Sequence, residues 1–315
     1  MSRKTTLGHE VTPFLAARIR AVFKRLPKGI AGYEEDLHEL RVGARRLQVA
    51  LPLLALEPNG RRVRRARRVL RDLIKAGGAG RDLDVILLLF EERLQAQSPD
   101  CRELRRIRSA LRSAHTRSRS QTADAMMDVE IARLRKDLRR IVERPGETMS
   151  GAGIRLREEL EREGAAILEA FETLGDGYDP PRLHRVRRRV RRLRYIAEIQ
   201  GDVQERALQA PAVLRRLQSK LGKINDTHVL ARWLERYSQH SEKQGRTLLA
   251  EAGRAELAFF EQRGRELHEA FRTLRPEALV RRAMSDLVGE PPPQTTANGR
   301  KGAAALVPTA EPLEP

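Results

Sequence analysis

Two stretches of this chain, 146 residues apart, spell the same helix. Leu37-His38-Glu39-Leu40-Arg41-Val42-Gly43-Ala44-Arg45-Arg46-Leu47 and Leu183-His184-Arg185-Val186-Arg187-Arg188-Arg189-Val190-Arg191-Arg192-Leu193 agree at six of eleven positions. Side chains advance by about 100° per helical residue, so His38, Arg41, Arg45 and Gln48 share a stripe about 80° wide. Leu37, Leu40, Ala44, Leu47 and Leu51 fill the stripe beside it. In the second copy His184, Arg187, Arg191 and Arg194 lie next to Leu183, Val186, Val190, Leu193 and Ala197. Each helix thus has an apolar edge to bury and a cationic edge to present. Two such helices in one chain suit a long anion gripped from two sides.

The repetition extends past the opening motif. Val69-Leu70-Arg71-Asp72-Leu73 aligns with Val213-Leu214-Arg215-Arg216-Leu217, and Gly78 with Gly222. Gly80-Arg81-Asp82-Leu83-Asp84-Val85 aligns with Ile224-Asn225-Asp226-Thr227-His228-Val229, again at an offset of 144, and Phe23 and Leu26 align with Phe171 and Leu174 at 148. Near-constant offsets over four elements indicate a duplicated helical unit of about 145 residues. The expected halves are residues 1–146 and 147–288, joined near Pro145 to Gly153, and the aperiodic Pro- and Ala-rich stretch at 289–315 reads as a disordered tail.

Between Pro13 and Val288 almost every segment has helical period, and alternating β-branched runs bounded by turn dipeptides are missing. The expected fold class is all-α, a pair of helical bundles. Breakers divide the helices at Pro27-Lys28-Gly29, Pro58-Asn59-Gly60, Gly77 to Gly80, Ser98-Pro99-Asp100, Arg144-Pro145-Gly146, Asp176 to Pro181 and Gly201-Asp202.

A net charge of +19, from 62 Lys and Arg against 43 acids, points to a polyanionic partner: nucleic acid, an anionic membrane or an inorganic phosphate polymer. Arginine dominates the basic set, and a planar guanidinium donates to phosphate oxygens two at a time. A compositional bias of the genome would raise total arginine without arranging it in stripes. Cys101 is the only cysteine, which excludes an intrachain disulfide and fits a reducing interior. No secretory signal is legible at the start, and the longest apolar run, Val85 to Phe90, is too short to span a bilayer. A soluble, cytoplasmic protein that does not engage membranes is expected.

A third basic helix carries Arg61, Arg64, Arg68, Arg71 and Lys75 at three- and four-residue steps, an edge about 20 Å long at 1.5 Å per residue. Like charges so placed repel, so either salt screens them or an anion neutralises them. In the repeat, Arg215, Arg216, Lys220 and Lys223 thin this edge without abolishing it. His38 and His184 admit three readings: a hydrogen-bond donor to phosphate, a buried structural histidine, or a metal or catalytic group. The last lacks a second ligand or a nucleophile on the same face. Asp82 and Asp226 follow glycine-bearing turns and precede apolar runs, as helix N-caps do. A role in holding a neighbouring arginine remains open beside that.

No Gly-rich phosphate loop, no acid cluster for magnesium and no Ser/His/Asp arrangement can be picked out, so no enzyme, cofactor or metal is expected. Aromatics are 4% of the chain and are not interleaved with the basic stripes, which argues against base stacking on single strands.

The paired Leu-His-x-Leu/Val-Arg-x-x-x-Arg-Arg-Leu motifs, each followed by a glycine turn with Arg/Asn-Asp-x-x-Val (Gly80 to Val85 and Gly222 to Val229), resemble the CHAD domain, the conserved histidine α-helical domain, over roughly Leu7 to Leu287. The resemblance implies two pseudo-symmetric helical bundles around a basic central channel, binding inorganic polyphosphate without catalysis and residing on polyphosphate granules. The family's histidines would be His38 and His184, and its phosphate-binding residues Arg41, Arg45, Arg46, Arg187, Arg191 and Arg192. Relatives often carry an amino-terminal triphosphatase domain, so this chain looks like a stand-alone version. Two departures stand out: His228 takes the place of Asp84, and the second basic helix is weaker, so the halves would contribute unequally. The alternative is a helical nucleic-acid-binding protein that lays the same stripes on a duplex backbone.

Overall fold

The computed structural model describes residues 7–96, 101–143, 150–204 and 207–289. These residues form eleven helices and no strand: α1 (Leu7–Ile30), α2 (Glu34–Leu54), α3 (Arg61–Ala76), α4 (Gly78–Gln95), α5 (Arg102–Met127), α6 (Ile131–Val142), α7 (Ser150–Leu174), α8 (Pro180–Gln204), α9 (Ala210–Lys243), α10 (Thr247–Arg272) and α11 (Pro276–Val288). The two repeated motifs occupy α2 and α8. Their apolar edges do what the periodicity requires: Leu40, Ala44, Leu47, Leu51, Val190, Leu193 and Ala197 are fully buried, and Leu183 and Val186 nearly so. Each large aliphatic side chain so removed from water stabilises the fold by about 1.5–3 kcal/mol.

Along the chain, α1 packs on α2, α2 on α3, α3 on α6 and α4 on α5. Further on, α7 packs on α8, α8 on α9, α9 on both α10 and α11, and α7 on α11. One large core runs under α1–α3 and α6–α9, with α11 closing it. A smaller cluster, centred on Phe90, Ile107, Leu111, Leu234 and Phe260, lies where the α4–α5 hairpin meets α9 and α10. The basic helices α2 and α8 touch each other directly, and α2 also reaches α7.

Three expected breaks fall differently. Pro27-Lys28-Gly29 sits inside α1, and the chain turns later, at Gly32, whose φ of 84° suits a residue without a Cβ. Gly201-Asp202 sits inside α8. The glycine turn of the first half shrinks to the single junction residue Gly77 between α3 and α4, and its counterpart around Gly222 is no turn at all, since α9 runs unbroken for 34 residues. Each glycine costs a helix about 1 kcal/mol. Gly77, Gly78 and Gly80 together interrupt one, whereas Gly222 alone is absorbed. The breakers at 98–100 and 144–146, most of the expected junction and the stretch from 290 onward lie outside the described residues. Among the described residues no helix is long and apolar enough to cross a membrane.

Candidate functional site: a cluster of facing arginines

The cationic edges of α2 and α8 converge. A cavity of about 380 Å³ lies between them, lined by Arg45 and Gln48 from α2, by Arg188, Arg191 and Tyr195 from α8, and by Glu163 from α7. Burial, then the proximity of Arg45, Arg187 and Arg188, pushes the Arg191 guanidinium down to about 10, with Tyr195 acting the other way. Burial draws Arg45 down as well; Arg187 adds to the effect, while Tyr195 and Asp82 oppose it. Both remain cationic at neutral pH. Among the described residues Arg45, Arg187, Arg188 and Arg191 form no ion pair, and the Nε of Arg187 is buried without a hydrogen-bond partner. Arg45 and Arg191 thus sit partly dehydrated beside other guanidinium groups, with no carboxylate paired to either, an arrangement that an anion would relieve.

A glycine seats one arginine in each repeat. The nearly buried Arg41 lies over Gly77, where an added Cβ would come within 2.8 Å of its Cδ. Arg187 lies over Gly222, where the same Cβ would stand 3.7 Å from its Nε. The small residues therefore bring α3 and α9 close under the guanidinium groups.

His184 Nδ1 pairs with the side-chain oxygen of Asn225. Asn225 in turn donates from Nδ2 to Asp226 at 3.1 Å, which identifies its Oδ1 as the acceptor and His184 Nδ1 as the proton-bearing atom. His184 Nε2 then donates to an anion only when the ring is protonated. His38, on α2, is partly buried, and His184 is exposed.

A sequence profile of the CHAD domain matches residues 14–235, well over half of the chain and both copies of the motif. The chain belongs to the CHAD domain family. The crystal structure of the CHAD domain from the plant Ricinus communis is similar, with a TM-score of 0.62, 22% identity and coverage of 91% of this chain and 94% of that one. At that identity the likeness shows the fold. No curated protein matches the chain.

Within this CHAD domain, not every expected cation is available to a ligand. Arg192 is held by two buried carboxylates of α7, its Nε lying 2.8 Å from Glu159 and 3.1 Å from Glu163. Arg46 and Arg194 both reach Glu198, at 3.1 and 3.5 Å, and flank the ring of buried Tyr195. These three build the walls of the cluster more than its free surface. Arg64, Arg68, Arg71 and Lys75 are exposed on α3, and none of them lines the cavity between α2 and α8. Arg68 and Lys75 line another cavity, of about 760 Å³, beside α5 and α6, with Asp72, Asp128 and Glu130 on its wall. Arg71 lies close enough to Arg67 to depress it. Arg215, Lys220 and Lys223 are exposed on α9.

The reading of Asp82 and Asp226 as N-caps is corrected. Asp82 lies in the second turn of α4 and Asp226 in the middle of α9, because the turns they were to follow are reduced or absent. Asp82 instead supports the charge of Arg45. Sequence reasoning also missed Arg67, which burial, Arg192 and Arg71 all push down, and which accepts a hydrogen bond at its carbonyl from Gln48 at 3.4 Å. Tyr195, Glu159 and Glu163 were missed as well. Glu159 and Glu163 lie one turn apart on α7, a pairing visible in the sequence; that they meet Arg192 is not.

Proposed function

We propose that this CHAD domain binds inorganic polyphosphate, without cleaving it, along a basic channel between two related halves, residues 1–146 and 147–288. The observation that carries the reading is the convergence of Arg45, Arg187 and Arg191, from both copies of the motif, with no carboxylate partner among the described residues. The recurring order of helix contacts supports the duplication: α1–α2, α2–α3, α4–α5 and α3–α6 have counterparts in α7–α8, α8–α9, α9–α10 and α9–α11. A phosphate chain carries about one charge per unit and is thin enough for a space of about 380 Å³, which a duplex is not. Binding rests on charge-assisted, often bidentate contacts and on counterion release, so it weakens steeply with salt. The paired Arg46, Arg192 and Arg194 hold the walls, and no metal or cofactor is required. The setting proposed is the cytoplasm, at polyphosphate granules.

Competition binding tests this reading. Labelled long-chain polyphosphate should stay bound when duplex DNA is added at equal concentration of charge, and purified protein incubated with polyphosphate and magnesium should release no orthophosphate. Displacement by the duplex would favour the nucleic-acid reading, and metal-dependent release would make the protein an enzyme.

A further inference from the structure

A cavity of about 800 Å³ lies between α5, the C-terminal part of α9 and the start of α10, and shares no lining residue with the Arg45–Arg191 cluster. Its charge is of one sign. Arg106 and Arg117 come from α5, Arg236 from α9 and Arg246 from the residue before α10, and no carboxylate lines it. None of the four arginines forms an ion pair among the described residues. The same cavity is lined by Trp233 and Tyr237, one turn apart on α9, whose rings stack with centroids 5.3 Å apart and planes 13° from parallel. Both rings also pack on the smaller hydrophobic cluster, which holds them in place.

The repeat does not require this stack. At the offset of 144 that aligns Asp82 with Asp226, the first half has Leu89 and Arg93 in the places of Trp233 and Tyr237. Leu89 serves the same cluster without a ring. Aromatics that looked remote from the basic stripes in the sequence therefore meet arginines contributed by α5, more than a hundred residues away.

A bare phosphate chain has no use for stacked rings, and an apolar ligand has none for four arginines. A flat heterocycle bearing phosphates uses both. We infer that this cavity is a nucleotide site: a base stacks on the Trp233–Tyr237 pair, Arg106, Arg117, Arg236 and Arg246 hold the phosphates, and the hydroxyls of Ser109 and Ser113 face the sugar. Stacking of one base on an aromatic platform contributes about 1–3 kcal/mol, and the volume is in the range of small-ligand pockets. The ligand is either a free nucleotide or one unpaired nucleotide of a single strand.

Trp233 is the only tryptophan in the chain, so its fluorescence reports on this cavity alone. The protein is titrated with ATP, with a twelve-nucleotide single strand of deoxyadenosine, and with tripolyphosphate. Saturable quenching by ATP and by the strand is expected, reduced at least tenfold in apparent affinity by R117A/R236A and unchanged by R45A/R191A. Equal affinity for ATP and the strand identifies a free-nucleotide site, and a strong preference for the strand identifies single-stranded nucleic acid. No quenching by either, equal quenching by tripolyphosphate, or quenching that survives R117A/R236A would overturn the inference. Because the R45A/R191A arm is read separately, failure here leaves the polyphosphate reading standing, and the reverse holds.

Discussion

Replacing Arg191 by methionine should move stability and binding in opposite directions. The Arg191 guanidinium is drawn well below its ordinary value, down to about 10, by burial and by Arg45, Arg187 and Arg188. At about 1.4 kcal/mol per pKa unit, the native state therefore holds this charge at a cost of up to roughly 3 kcal/mol at neutral pH. Methionine keeps much of the apolar stem and removes the charge. Relaxation and water penetration reduce the gain, and replacement of buried charges by apolar groups commonly stabilises by about 1–4 kcal/mol. An increase of about 1–2 kcal/mol is expected, or roughly 2–5 °C in Tm for a domain of this size. Polyphosphate affinity should fall about 10- to 100-fold, as one charge-assisted contact of about 1.5–3 kcal/mol is lost. The slope of log affinity against log salt should shrink by roughly 0.7–0.9. Thermal unfolding followed by circular dichroism at low salt without polyphosphate gives the first number, and titration calorimetry the second. A lowered Tm together with unchanged affinity would refute the reasoning, because Arg191 would then be a structural residue and not a charge poised for an anion.

Three other perturbations follow from the same contacts. Gly222→Ala should raise Tm, gaining up to about 1 kcal/mol of helix propensity in the middle of α9, because its Cβ meets nothing closer than 3.7 Å; Gly77→Ala should lower Tm, since its Cβ would meet Arg41, Met126 and Leu37 at 2.8–3.1 Å. Glu159→Gln should cost about 2–4 kcal/mol in chemical denaturation, because a buried carboxylate that holds Arg192 and Arg162 loses its charge. Burial, together with Arg232 and His184, holds His228 below the ordinary imidazole value of about 6.5, so the unfolded chain binds the proton more readily. Stability contributed by neutral His228 is therefore full above that value and declines as pH falls through and below it, and His228→Gln should flatten the urea midpoint between pH 7.5 and 5.

The helical character of the chain and the two buried edges were legible because they depend on local period. Leu40, Leu47, Val190 and Leu193 had no other face to occupy. Which arginines stay bare was not legible. Arg45 and Arg192 look alike in the sequence, yet Arg192 meets Glu159 and Glu163 on α7 while Arg45 pairs with no carboxylate among the described residues and has Tyr195, Arg187 and the support of Asp82 around it. That difference is set by which helix packs beside each position, and period says nothing about it. Breaker residues misled for a related reason: a single Gly222, or Pro27 near a helix end, costs less than the packing of the helix around it returns. The Trp233–Tyr237 stack was invisible as a site because its arginines come from α5.

Titration of the full chain with long-chain polyphosphate, set beside R45A/R191A and R105A/R140A, tests the central claim most directly. The two double variants lose equal charge, but Arg105 and Arg140 are exposed on α5 and α6, outside the facing stripes. Affinity should fall at least a hundredfold for R45A/R191A and less than threefold for R105A/R140A. Equal losses would mean that bulk charge binds the polymer, and that the facing stripes of α2 and α8 do not.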